Sequence, residues 1–149
     1  MIRCTKEQLL SIYGMLIKKT GGSSGVLNES SIDSALNNIW QTFDGLELYP
    51  TLAEKGARLG YSLVRNHSFS DGNKRIGILT MLTFLSVNGI EITWTDTEIV
   101  ETGLALASGL MDYEALLVWL REHWAIKDTC GNENTSPCLQ NKAESLDRR

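Results

Sequence analysis

The sequence predicts an all-α fold, a compact bundle of short helices. Three observations predict it. Apolar residues recur at three- and four-residue spacing along most of the chain up to Trp124. Helix-start residues stand before the periodic runs, and glycine-bearing breaks separate them. Strand-like alternation is confined to one short stretch, Ile90 to Trp94. With 149 residues the chain can bury a core without disulfides or structural metals. The pattern assigns residues 1–126 to one domain and 127–149 to a polar, flexible tail. Leu139 and Leu146 are the tail's large aliphatics, too few to offset the entropy of ordering it.

Thr5 followed by Gln8 reads as a capping box. The stripe Leu9, Leu10, Ile12, Tyr13, Leu16 and Ile17 follows, and the helix stops near Thr20, before Gly21-Gly22-Ser23-Ser24-Gly25. A second helix is expected from about Ser30 to Phe43, with Ser30 and Asp33 at its start. Ile32, Ala35, Leu36, Ile39, Trp40 and Phe43 fall on one face of it. The stretch from Asp44 to Pro50 breaks the period, as an extended arm or a small hairpin. Thr51 with Glu54 starts a third helix, which carries Leu52, Ala53, Leu59, Leu63 and Val64 to about Asn66. After a polar loop, helical pattern resumes near Asn73, carries Leu79, Leu82, Phe84 and Leu85, and stops at Asn88-Gly89. Thr95 with Glu98 opens a further helix that ends near Gly109. Asp112 opens the last, with Leu116, Leu117, Trp119, Leu120 and Trp124 as its apolar side.

The bulk numbers narrow the function. A formal net charge of -4 and a pI near 5.2 argue against a nucleic-acid partner, which calls for a basic face. No apolar run reaches membrane-spanning length, so no membrane partner is expected. Cys4, Cys130 and Cys138 form neither a disulfide framework nor a zinc spacing. With no signal-peptide pattern at the start, the expected location is a reducing cytoplasm.

The chemistry concentrates in the loop from His67 to Arg75. Gly72 and Asn73 lead directly into a helix, whose first N–H groups and partial positive charge attract an anion. Lys74 and Arg75 put two cations into that first turn, where the helix dipole disfavours them. An anionic ligand offsets the repulsion, so the local conflict points to a phosphate site. His67 suits a general base, because neutral imidazole accepts a proton near pH 7. Asp71 suits Mg²⁺, which takes one or two protein carboxylates and completes its shell with phosphate oxygens. Phe69 has no chemistry of its own and is expected to anchor the loop in the core. Each of these residues alone has a bland explanation: a surface histidine, a turn, a solvated helix face. Their clustering before one helix supports a phosphate-binding helical domain with a base beside it.

At these residues the sequence resembles the Fic/Doc family, whose motif is roughly His-x-Phe-x-Asp/Glu/Asn-Gly/Ala-Asn-Gly/Lys-Arg between two helices. His67, Phe69, Asp71, Gly72, Asn73, Lys74 and Arg75 fill every defined position. The stretch from Leu48 to Lys55 also looks like the death-on-curing (Doc) branch. The resemblance implies a Fic-type helical bundle with a short flap or hairpin before the helix that leads to the motif loop. It implies His67 as the base that deprotonates a target hydroxyl. Asp71 would hold Mg²⁺, and Gly72, Asn73, Lys74 and Arg75 would hold the phosphates of ATP, with Arg65 as a further candidate. Leu46, Glu47, Leu48 and Tyr49 match the flap that holds the target segment.

Two departures choose between branches. AMP-transferring members usually have glycine where this chain has Lys74, and an arginine where it has Ile78. Both departures look like Doc toxins. Resemblance to them implies transfer of the γ-phosphate of ATP to a threonine of elongation factor Tu, a block of translation, and a neutralising antitoxin partner. Gly72 stands where some Doc members have alanine and keeps AMP transfer as the alternative; an inactive nucleotide- or partner-binding domain is the third reading. The stretch from Thr129 to Asn134 fits a short self-inhibitory pattern of the family, although Gly131 makes it a poor helix former.

Overall fold

The computed structural model describes residues 1–22 and 25–126, and the readings on the tail and on Cys130, Cys138 and Thr129 to Asn134 fall outside them. The described residues form six helices and two small antiparallel strand pairs. The helices are α1 (Lys6–Thr20), α2 (Glu29–Asn38), α3 (Leu52–Arg65), α4 (Asn73–Val87), α5 (Asp96–Ser108) and α6 (Tyr113–Glu122). Strands β1 (Thr42–Phe43) and β2 (Leu46–Glu47) form a hairpin between α2 and α3. Strands β3 (Ile90–Ile92) and β4 (Trp124–Ile126) pair Ile92 with Trp124 and join the end of α4 to the end of α6.

Local chemistry sets most of these boundaries. Thr5, Thr51 and Thr95 each make the full reciprocal capping box with Gln8, Glu54 and Glu98. Asp112 caps α6 by accepting from the Ala115 N–H at 2.8 Å. Two boundaries differ from the sequence expectation. The cap of α2 is Asn28, whose side chain accepts from the Ser31 N–H, rather than Ser30. The same helix stops at Asn38 and does not reach Phe43. Asp44 at φ 53° and Gly45 at φ 79° supply the two left-handed residues of a tight hairpin turn, and Phe43 becomes a strand residue that is 75% exposed. Likewise Trp124 lies on β4 and not on the face of α6, because His123 ends that helix.

The core centres on α3 and α4, which pack against each other most extensively. Their closeness depends on glycine. A Cβ on Gly77 of α4 would lie 2.5 Å from Val64 Cγ2 and 3.0 Å from the Val64 backbone nitrogen. A Cβ on Gly60 of α3 would lie 2.8 Å from Met81 Sδ. The two helices therefore touch nearly backbone to backbone, and the loop that joins them inherits a fixed span. Around this pair, α1 with Leu9 and Tyr13, α2 with Ile32, α5 with Ile99 and Leu106 and α6 with Leu116 and Leu120 complete the core.

Lys55 is the largest departure from an apolar interior, fully buried on α3. Its ammonium donates to the Tyr49 carbonyl, lies 3.6 Å from a Glu47 carboxylate oxygen and sits 5.1 Å from the centre of the Trp40 ring. A buried cation requires such partners, so Lys55 ties the base of the hairpin to α3. The signal in the sequence is its place on the stripe of α3 between Leu52 and Leu59.

Candidate functional site

The loop between α3 and α4 begins with a strained residue. His67 follows the end of α3 with φ 50°, the left-handed region that glycine or asparagine usually fills just past a helix. A non-glycine residue held there costs on the order of 1 kcal/mol or more and persists only when its surroundings enforce it. The next residues supply that enforcement. Ser68 is fully buried, and its hydroxyl shares a hydrogen bond with Ser31 of α2. Its carbonyl accepts from the N–H groups of Leu27 (2.8 Å) and Asn28 (3.2 Å). Phe69 is 1% exposed and stacks on Tyr13 at 4.0 Å between ring centres.

The loop is also one strand of a minimal sheet. Val26 and Phe69 face each other across an antiparallel bridge. The flanking bonds run from the Leu27 N–H to the Ser68 carbonyl and from the Ser70 N–H to the Gly25 carbonyl (2.9 Å). In such a pair the peptide groups of the two central residues point outward. Those of Phe69 are both taken by Asn73. The amide oxygen of Asn73 accepts from the Phe69 N–H at 3.0 Å, and its NH₂ donates to the Phe69 carbonyl at 2.8 Å. Asn73 thus imitates a third strand. Its side chain holds the loop's shape, leaving the backbone of the first turn to face a ligand.

Tyr13, which the motif does not include, closes the arrangement from α1. Its hydroxyl donates to the Asp71 carbonyl at 3.1 Å and accepts from the Gly25 N–H at 3.4 Å. The Asp71 carboxylate accepts from the Gly72 N–H at 2.8 Å. Its other oxygen lies where a Cβ on Gly22 would sit, at 2.6 Å. Gly22 therefore lies against Asp71. No sequence motif marks the pairing of Gly22 and residues 25–28 with this loop; the only hint was the run of glycines.

At the head of α4, Gly72 takes φ 79° and provides no side-chain cap. Side chains cap the other five helices. The first turn of α4 holds no acidic residue, while Lys74 and Arg75 project from it, exposed. His67, Ser70, Asp71, Gly72, Asn73, Lys74 and Arg75 line one cleft of about 550 Å³. Leu16, Ile17 and Thr20 of α1 and Ile99, Val100, Leu104 and Ala107 of α5 form its walls, with Gly21, Gly22 and Val64. The cleft combines an anion-attracting floor with apolar sides, the composition that suits a phosphate joined to a flat apolar group.

Some expected residues lie elsewhere. Arg65 does not line the cleft; its guanidinium donates to the Leu106 carbonyl at 3.2 Å, capping the end of α5. Leu46, Glu47, Leu48 and Tyr49 do not line it either. Their hairpin precedes the start of α3, whereas His67 follows its end. The 14 residues of that helix span about 21 Å at ~1.5 Å per residue. Tyr49 instead meets Tyr113 edge-on at 5.8 Å, beside Arg58. Burial, with the neighbouring Glu54 and Glu114 charges, pushes the Tyr113 phenol up to about 12.

Among the described residues no group of three or more His, Cys, Asp or Glu side chains is placed to hold a metal ion. Asp71 is the sole carboxylate among the residues lining the cleft. That set fits Mg²⁺ only as an ion whose remaining ligands come with phosphate oxygens and water.

Residues 3–85 match the model of the Fic/DOC family. The chain is 39% identical over 72 residues to a protein of Mycolicibacterium smegmatis named Toxin Doc. That match covers 48% of this chain and 55% of the relative, so the chain spans about half the length of that protein. It is 24% identical over 121 residues to the Protein kinase doc of Escherichia phage P1, covering 81% of this chain and 94% of the relative.

Proposed function

The chain belongs to the Fic/DOC family, on its Doc-like side, and from that premise we propose that it is a toxin that transfers the γ-phosphate of ATP to a hydroxyl of a target protein. The observation that carries this reading is the cleft itself. It holds an uncapped helix start with two cations and a histidine in one cavity. In the proposed reaction the phosphates lie on the first N–H groups of α4, with Arg75 and Lys74 balancing their charge. The target hydroxyl gives its proton to His67 as its oxygen bonds to the γ-phosphorus. The bond from that phosphorus to the bridging oxygen breaks, and ADP leaves. Positioning and charge stabilisation supply most of the rate in such a transfer. Mg²⁺ entering with the nucleotide, with Asp71 as its protein ligand, would neutralise part of the phosphate charge.

The extended edge of the motif loop is at Val26, opposite Phe69 and so two residues along from His67, while the hairpin of β1 and β2 stands at the other end of α3. The peptide groups of Val26 point away from the motif loop, and Val26 and Leu27 are 39% and 69% exposed. A target segment adding to that edge would lie in extended form next to the base. By resemblance the target is a threonine of elongation factor Tu and the natural regulator is an antitoxin; both place the protein in the cytoplasm. No helix among the described residues is long and apolar enough to cross a membrane.

Incubation of the purified protein with cell extract and ATP labelled at the α- or the γ-phosphate tests the reaction. Protein labelled from γ-ATP alone is the expected result. Label from α-ATP would establish AMP transfer instead, the alternative kept open by Gly72 at the motif position that some Doc members fill with alanine. Absence of label from both, with the fold intact, would assign the domain to binding alone.

A further inference from the structure

Gly103 lies in the interior of α5 on its buried side. Glycine there weakens a helix by roughly 1 kcal/mol relative to alanine, so its surroundings need explaining. A Cβ at this position would lie 3.2 Å from Lys74 Cβ and 3.5 Å from the Lys74 carbonyl oxygen. The bare backbone of α5 therefore touches the root of the Lys74 side chain. Lys74 lines the cleft together with Ile99, Val100, Leu104 and Ala107 of α5. The backbone of the α5 wall thus meets Lys74 at the root of its side chain, where that side chain leaves α4. Arg65 holds the far end of the same wall through the Leu106 carbonyl.

We propose that Gly103 is a positioning residue for the donor phosphates, acting through Lys74. Its missing side chain lets α5 seat the lysine stem, so the ammonium is presented to the cleft. Residues 74 and 103 form one unit: a Cβ at 103 would press on the Lys74 Cβ at 3.2 Å and shift the lysine stem, whereas a glycine at 74 has no Cβ to accommodate. The inference rests on the reading that the cleft binds a nucleotide triphosphate.

The test is a double-mutant cycle on the full chain with Gly103→Ala, Lys74→Gly and the pair. ATP and inorganic tripolyphosphate are titrated calorimetrically, and thermal melts are recorded. Gly103→Ala in the Lys74 background is expected to weaken ATP and tripolyphosphate binding by about tenfold, the order of coupling between contacting residues. In the Lys74→Gly background the same change should alter both by less than about twofold. If Gly103→Ala alone fails to fold, the pair with Lys74→Gly should recover a cooperative melt, because the Cβ–Cβ contact is gone. Equal losses in both backgrounds, no loss with Lys74 present, or a failed single variant that Lys74→Gly does not recover overturns the seat. A wild type that binds neither ligand overturns the nucleotide reading itself, a distinguishable result.

Discussion

Replacing Asn73 with alanine tests whether this residue shapes the loop or binds phosphate. Its amide makes two bonds to Phe69, at 3.0 and 2.8 Å, in a part-buried setting. Phe69 is 1% exposed, so solvent reaches its freed peptide groups poorly. Each lost bond costs about 1 kcal/mol, and each group left unpaired raises the figure toward 1–3 kcal/mol. The sum predicts a loss of about 2–4 kcal/mol for Asn73→Ala, read from the urea midpoint at unchanged slope. Asn73→Asp keeps the acceptor for the Phe69 N–H but sets a carboxylate against the Phe69 carbonyl, so it should be no more stable than the alanine variant. Arg75→Ala removes no hydrogen bond observed within the described residues. It should leave the midpoint within about 0.5 kcal/mol, as for exposed positions, while weakening ATP binding. If Asn73→Ala unfolded at the wild-type urea concentration yet lost nucleotide affinity as Arg75→Ala does, the side chain would be a phosphate ligand and the strand-mimic account would be wrong.

Three further outcomes are expected. His67→Asn should abolish transfer while leaving stability equal or up to about 1 kcal/mol higher, because asparagine tolerates φ 50° better than histidine; a marked destabilisation in thermal melts would contradict the strain assignment. Gly22→Ala places a Cβ 2.6 Å from the Asp71 carboxylate at a backbone φ of 111°, which should cost about 1–3 kcal/mol. Asp71→Ala in the same chain should return part of that loss, since it removes the clashing group. For Glu98, the Thr95 N–H and then His123 hold the carboxyl below its ordinary value of 4.5. A depressed folded pKa means stability that is present above about pH 4.5 and lost as pH falls through the folded value. The melting-temperature gap between wild type and Glu98→Ala should therefore narrow on acidification below that point, and a constant gap down to pH 3 would refute it.

The sequence by itself determined what is encoded locally. Capping boxes at Thr5, Thr51 and Thr95 and the cap at Asp112 depend on bonds spanning three residues, so four helix starts were legible. The uncapped helix start with its two cations was legible too, because Gly72, Lys74 and Arg75 are near neighbours in the chain. Where local preferences competed, only the structure decided. The second helix ended at Asn38 because the Asp44-Gly45 turn claimed Phe43 for the hairpin, and Trp124 joined β4 because its strand partner, Ile92, lies 32 positions earlier. The tertiary fold alone brought Tyr13, Gly22 and Val26 to the motif loop, turned Asn73 toward Phe69, took Arg65 away to α5 and set Lys55 under the hairpin. Such contacts join residues tens of positions apart. Their energy depends on burial and packed distance, which follow from how the helices pack and are not carried by any short stretch of the chain.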